Sequence, residues 1–173
     1  MRQLKSGKLK KKNREYSQHI KIKEILILLD NVEYAQNVAA IFRLADGANV
    51  SMMFLTGITK TPPFGKSLSK VSRFKELSVP WEYHQYANEL LTTLQKKGYQ
   101  IIPIEITDRS IPYVDFEYKE RVCFIVGNES NGISQKILDF MEEAVFIPMR
   151  GDGKSLNVQT SLAIVLYHYL FLS

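Results

Sequence analysis

A mostly parallel α/β sheet with helices on both faces is the fold this sequence predicts, and three observations predict it. Short apolar runs such as Glu24-Ile-Leu-Ile-Leu-Leu29 and Arg121-Val-Cys-Phe-Ile-Val126 are continuous rather than alternating, as strands covered on both faces must be. Between such runs lie stretches whose apolar residues recur at helical spacing. Polar segments at 106–110, 127–132 and 148–157 follow strand-like runs, and in a parallel sheet the crevice beyond the carboxyl ends of the strands is where ligands bind.

In chain order, Glu24–Leu29 reads as a buried parallel strand, broken by the polar stretch Asp30–Asn37. From Asn37 the pattern turns helical. Val38, Ile41, Phe42 and Ala45 share a face, Arg43 lies on another, and Gly47 is the stop. Val50–Leu55 is a second strand, and Pro62-Pro63 marks the following segment as a loop. A short helix over 67–77 and an extended run over 79–83 come next. Glu89–Lys97 is helical with Gly98 as its stop, Tyr99–Ile106 is a strand, and the segment through Asp108, Arg109 and Pro112 is a loop. After the strand Arg121–Val126 come the loop 127–132, a helix over 133–141, a strand over 144–147 and a final helix over 156–172. That last helix is apolar almost all round, so it needs a second protein surface, the rest of the core or another subunit; a homodimer is expected.

A length of 173 residues suits one domain. The net charge of +5 is unevenly placed: residues 1–14 hold seven basic residues and no acid, so the other 159 sum to −2. Residues 1–23 are therefore set apart as a basic tail, a solvated segment by composition and a phosphate-seeking arm by charge, from a domain over 24–173. No apolar core follows the tail's charges, so no signal peptide is expected, and the final helix is too interrupted by Asn157, Gln159 and His168 to span a membrane. The single cysteine, Cys123, sits in an apolar run and reads as core, consistent with a reducing cytoplasm.

The most telling stretch is Phe146-Ile-Pro-Met-Arg-Gly-Asp-Gly-Lys-Ser-Leu-Asn-Val158. A strand stops at Pro148, a glycine-containing loop follows, and Ser155 is placed to cap the last helix and aim free amides at a polar ligand. Gly153-Lys-Ser155 imitates the end of a phosphate-binding P-loop. The first glycine of that motif would fall at Pro148, which has no N–H to offer, so magnesium-dependent nucleotide chemistry is set aside. His19, His84 and His168 are scattered and no metal-ligand spacing occurs; no Gly-x-Ser-x-Gly elbow marks a hydrolase. The loop Gly127-Asn-Glu-Ser-Asn-Gly132 is expected to be able to hold a small polar ligand by backbone contacts, with Glu129 fixing its shape.

Three blocks in order carry a family resemblance. Asn37-Val-Ala-Ala-Ile-Phe-Arg43, Ile125-Val-Gly-Asn-Glu-Ser-Asn-Gly-Ile-Ser134 and Ile147-Pro-Met-Arg-Gly-Asp-Gly-Lys-Ser-Leu-Asn-Val158 resemble the three motifs of the SpoU, or TrmH, branch of the SPOUT methyltransferases. The likeness covers about residues 24–172. It implies transfer of a methyl group from S-adenosylmethionine to a ribose 2′-hydroxyl of RNA, a SPOUT-type domain with a C-terminal trefoil knot, and a dimer in which Arg43 serves the partner's cofactor. Knots are rare enough that periodicity alone would not suggest one. By position, the resemblance makes Gly127, Ile147 and Leu156, with Met149 and Thr107, cofactor-contacting. It makes Asn37, Arg43, Glu129, Ser155 and Asn157 catalytic or site-organising.

Arginine normally stays protonated, so for Arg43 a phosphate clamp that stabilises a developing alkoxide is set beside the family's proposed role in deprotonating the hydroxyl. Departures touch the substrate side: Gln159-Thr160 and His168 replace familiar residues, and Ser72-Arg-Phe-Lys75 stands where relatives carry a Gly-Ala pair. RNA recognition is expected from the tail, from Lys66, Lys70, Arg73 and Lys75, and from the Trp81-Glu-Tyr83 surface, with tRNA preferred over rRNA. The competing reading is a catalytically idle RNA-binding protein that keeps the fold.

Overall fold

The computed structural model describes residues 3–17 and 23–172; residues 1–2 and 18–22 of the basic tail, His19 among them, and Ser173 lie outside the described residues. The central sheet has five parallel strands: β1 (Glu24–Asp30), β2 (Met52–Thr56), β3 (Trp81–His84), β4 (Gln100–Pro103) and β6 (Arg121–Val126). Their order across the sheet is β3-β2-β1-β6-β4. A second sheet of two parallel strands, β5 (Ser110–Pro112) and β7 (Ala144–Phe146), continues from β4 through the Ile104 to Val145 pairing.

The continuous apolar runs are explained by coverage on both faces. On β1, Ile25, Ile27 and Leu29 join the core formed with helices α2 (Ala35–Gly47) and α6 (Val158–Leu170). Leu26 and Leu28 point the other way, into a second core with α4 (Asn88–Lys96) and α5 (Gln135–Leu138). A strand sandwiched this way has no solvent face and therefore no polar alternation. Cys123 is fully buried in the second core, and burial pushes its thiol up, away from the reactive thiolate.

The chain runs outward from β1 to β3, then crosses to the other edge for β4 and returns to put β6 beside β1. The strand order therefore reverses between β1 and β6. In open parallel sheets that reversal leaves a crevice at the carboxyl ends of the two strands.

Four expectations are corrected. The 67–77 segment is α3 (Lys66–Ser72) followed by a separate 3-10 turn at Lys75–Leu77, because Arg73 and Phe74 both turn left-handed between them. The 133–141 helix is only the single turn of α5: Phe140 and Met141 donate to Ile137 and Leu138, three residues back, which closes the chain into turns. The segment through Asp108 to Pro112 contains β5, too short to show a period. The last helix starts at Val158 rather than Leu156, with Asn157 as its N-cap in place of Ser155.

The tail is also more ordered than its composition suggests. Ser6–Ser17 forms α1, none of whose residues is buried. Lys, Leu and Arg are good helix formers, and Lys11 pairs with Glu15 one turn on at 3.8 Å. Its contact with the body includes the Tyr16 ring, 6.1 Å from that of Phe171.

The core covers one side of α6, burying Leu162, Val165, Leu166 and Tyr169. Tyr167 and Phe171 remain 40% and 52% exposed. No helix among the described residues is long and apolar enough to cross a membrane.

His168, also on α6, packs edge-on against Tyr113 at 5.0 Å and Tyr118 at 6.0 Å. Its buried Nε2 has no hydrogen-bond partner among the described residues. An unsatisfied buried nitrogen is costly, while a phenyl ring keeps the aromatic contacts. His168→Phe is expected to stabilise the fold by about 1 kcal/mol, raising Tm by about 2–4 °C in thermal unfolding; a lower Tm would show that the imidazole makes a bond worth keeping.

Candidate functional site

A cavity of about 730 Å³ opens at the reversal point between β1 and β6. Its floor is the loop after β6. Gly127 is buried at the start of this loop, and a Cβ there would run into the backbone of Gly132 and Ile133. The loop folds back on itself, Asn128 and Gly132 exchanging both backbone hydrogen bonds at 2.9 Å. Gly132 sits at φ +68, where a Cβ would also strike the Glu105 carboxylate.

Three side chains that the sequence reading passed over hold this loop. Asn128 donates from Nδ2 to the Asn31 carbonyl at 3.0 Å, and its Oδ1 accepts from the Ser130 and Asn131 amides at 2.9 and 3.0 Å. Asp30, buried at the end of β1, accepts the Ser134 amide at 2.8 Å through one oxygen and the Thr56 hydroxyl at 3.3 Å through the other. Glu105 accepts the Ile133 amide at 3.0 Å. One signal was available: Asp30 and Glu105 each end or closely follow an apolar strand run, where a buried carboxylate requires partners.

Above this floor, Glu129 links three segments. Its carboxylate accepts the Glu33 amide at 2.9 Å, the Tyr34 amide at 3.2 Å and the Asn37 side-chain amide at 2.6 Å. Tyr34, the N-cap residue of α2, makes no side-chain cap. Glu129 supplies it from outside, with its charge at the positive end of the helix. Asn37 in turn accepts from Asn157 Nδ2 at 3.1 Å, and Asn157 Oδ1 accepts the Gln159 amide at 2.9 Å, capping α6. This chain of bonds fixes which end of each side-chain amide faces which partner.

Desolvation works to raise the Glu129 pKa, but the hydrogen bonds from Asn37 and from the Glu33 and Tyr34 amides outweigh it and hold the carboxyl below its ordinary range. It is an ionised anchor, not a proton donor.

Of the ten residues the sequence singled out, Asn37, Gly127, Glu129, Ile147, Met149, Ser155, Leu156 and Asn157 line this one cavity. Thr107 faces an adjoining recess of about 290 Å³, where its Oγ1 accepts the Arg109 amide at 3.2 Å. Arg43 is not at the cavity. It is exposed on α2, six residues beyond Asn37, or about 9 Å along the helix axis. Among the described residues it has no ion-pair partner.

The donor set suits a nucleoside-sized ligand. Ile104, Ile133, Ile147 and Leu156 give apolar walls, while Asn, Ser and Glu side chains and the amides of a glycine loop give a polar rim. No group of three or more His, Cys, Asp or Glu among the described residues is placed to hold a metal ion.

The profile of the SpoU rRNA Methylase family matches residues 24–167. A tRNA (guanosine(18)-2'-O)-methyltransferase of Aquifex aeolicus is 26% identical over 84% of this chain and 68% of its own length. A 23S rRNA (guanosine(2553)-2'-O)-methyltransferase of Bacillus subtilis is 28% identical over 83% of this chain and 56% of its own. The chain thus spans little more than half to about two thirds of these curated relatives. A solved AdoMet-bound rRNA methyltransferase from Sinorhizobium meliloti superposes with a TM-score of 0.78 at 25% identity, over 90% of this chain and 59% of that one.

Because the folded-state pKa of Glu129 is depressed, its ionised form contributes stability that is complete above the ordinary carboxylate value of about 4.3. That contribution is lost as pH falls through the lower folded value. In urea denaturation Glu129→Gln should be less stable than wild type at about pH 7, and the difference should shrink below about pH 4.3; a difference that grows on acidification would contradict the anchor role.

Proposed function

The chain belongs to the SpoU rRNA methylase family, and from that premise we propose that it transfers a methyl group from S-adenosylmethionine to a ribose 2′-hydroxyl of RNA. The observation that carries this reading is the convergence of the three motif blocks on one cavity, knit by the Glu129, Asn37 and Asn157 bonds. The tRNA and rRNA methyltransferase names of the relatives support the reaction class, and the AdoMet-bound neighbour supports the cofactor. S-adenosylmethionine supplies a sulfonium-bound methyl that needs alignment with its acceptor more than activation.

The chain's own residues divide the work. Gly127 lets the loop backbone close under the cofactor, and Ile147, Leu156 and Met149 wall its pocket. Asn37 and Asn157 orient the polar rim, and the role we assign to Ser155, exposed on the cavity lining, is to meet the ribose. Arg43 stabilises charge that develops on the 2′-oxygen and clamps the neighbouring phosphate, in keeping with a guanidinium that stays protonated.

Since Arg43 stands about 9 Å along α2 from its own cavity, this role belongs to a homodimer in which it faces the partner's cofactor. Support comes from the outer side of α6, where Tyr167, its hydroxyl beside Gly47 of α2, and Phe171 just after the helix stay about half exposed. The same reading includes a C-terminal trefoil knot whose loops at 127–132 and 148–157 form the cofactor pocket, a cytoplasmic location, and tRNA as preferred substrate.

Labelled methyl from S-adenosylmethionine, offered to unmethylated total tRNA and to rRNA, should appear in a 2′-O-methylated nucleoside after nuclease digestion, with tRNA the better acceptor. Arg43→Ala should lower the transfer rate by about 10²–10³-fold while leaving cofactor affinity and sedimentation as in wild type. Cofactor binding without transfer to either RNA would favour the idle RNA-binding reading, and absence of cofactor binding would refute the methyltransferase assignment.

A further inference from the structure

Immediately after α3, two consecutive residues adopt the left-handed conformation: Arg73 at φ 54, ψ 41 and Phe74 at φ 60, ψ 24. The other non-glycine residues at positive φ among those described are Asn31 and Asn49, a type whose short side chain tolerates that region. For arginine and phenylalanine it is a strained conformation that persists only where the surroundings impose it.

The surroundings here do so. The Phe74 amide donates to the Ser69 carbonyl at 2.9 Å and to Ser72 Oγ at 3.2 Å. The fully buried Ser72 hydroxyl is hydrogen-bonded to the Glu76 carboxylate, itself only 5% exposed.

This bracing does not pack the phenyl ring. Phe74 is 57% exposed, and Leu77 on the same turn is 80% exposed. The charge around them is one-sided. Between residues 57 and 81 the chain carries Lys60, Lys66, Lys70, Arg73 and Lys75, against Glu76 as the only acid, and that acid is buried. Lys75 is neutralised by Asp46 at 2.9 Å, while Lys66, Lys70 and Arg73 stay exposed.

We propose that Phe74 and Arg73, with Lys66 and Lys70, form an RNA-docking surface remote from the cofactor pocket, where Phe74 stacks on an unpaired base and the cations hold the flanking phosphates. The proposal rests on the RNA methyltransferase reading and adds to it a place where substrate identity is read. An aromatic ring presented among cations is what single-stranded RNA recognises, since every base has a face to stack and every linkage a charge. A second copy docking through the same patch would set like charges against each other, which disfavours a symmetric protein contact here. The Asp46 to Lys75 pair that anchors this turn lies nine residues along α2 from Asn37, about 14 Å along the helix axis, which sets the surface apart from the cavity.

Phe74→Gly separates a binding role from a packing role, because it relieves the backbone strain while it removes the ring. Its Tm should rise and its S-adenosylmethionine affinity should match wild type. Its Kd for unmethylated total tRNA or rRNA should weaken roughly tenfold or more in filter binding. Phe74→Trp should retain RNA affinity, and Arg73→Ala should reduce the salt slope of binding by about one. A lower Tm with unchanged RNA affinity would overturn the proposal in favour of packing, and a changed sedimentation coefficient with unchanged RNA affinity would overturn it in favour of a protein interface. Failure of the wild type to bind either RNA would overturn both this surface and the methyltransferase reading; equal binding by wild type and variant overturns the surface alone.

Discussion

The carboxylate of Glu129 is the constraint on which the site depends. It stands on the loop after β6, yet its three hydrogen bonds go to the start of α2, and through Asn37 they reach the start of α6. Segments 92 and 120 residues apart in sequence are thereby held at one cavity mouth. Two helices begin here, each with free amides, and one anion with one side-chain amide relay serves both. The low pKa of Glu129 expresses the same arrangement: the partners prefer the charge.

The sheet explains why this crossing occurs where it does. Because the chain leaves for β4 at the far edge and returns to place β6 beside β1, the loops after β1 and β6 flank one crevice. Asp30 at the end of β1 holds the amide of Ser134 beyond the β6 loop, so the two strand ends are joined by side chain as well as by backbone pairing. The apolar walls come from Ile104 at the end of β4 and Ile147 just after β7, which are themselves positioned by the pairing of Ile104 with Val145.

Much of this was legible in the sequence because it follows from local pattern. The continuous apolar strands, the face of α2 formed by Val38, Ile41 and Phe42, and the three polar loops after strands each carry their own signal. Sequence spacing could not give the partner of a side chain. Ser155 reads as the cap of the last helix, and only the bond from the Gln159 amide to Asn157 Oδ1 shows that Asn157 is the cap. Asp30, Glu105 and Asn128 were missed for the same reason: their bonds run to Ser134, Ile133 and Asn31, contacts that exist only once the sheet order is set. The three-residue β5 and single-turn α5 are too short to express a period and depend on pairing and turn bonds instead.

The two ends of α2 have different physical characters, and that difference bears on how a substrate is held. At its start, every polar group named has a partner: Glu129, Asn37 and Asn157 are mutually satisfied, which rigidifies the geometry where atoms must be aligned. At its far end, beside Asp46, the chain instead keeps a phenyl ring and a guanidinium in solvent on a strained turn braced by buried Ser72 and Glu76. Glycine would adopt this turn without the strain that arginine and phenylalanine carry there. The helix thus joins a hydrogen-bonded, rigid end at the cavity to a strained end that carries exposed cations, and on the proposed reading alignment belongs to the first and recognition to the second.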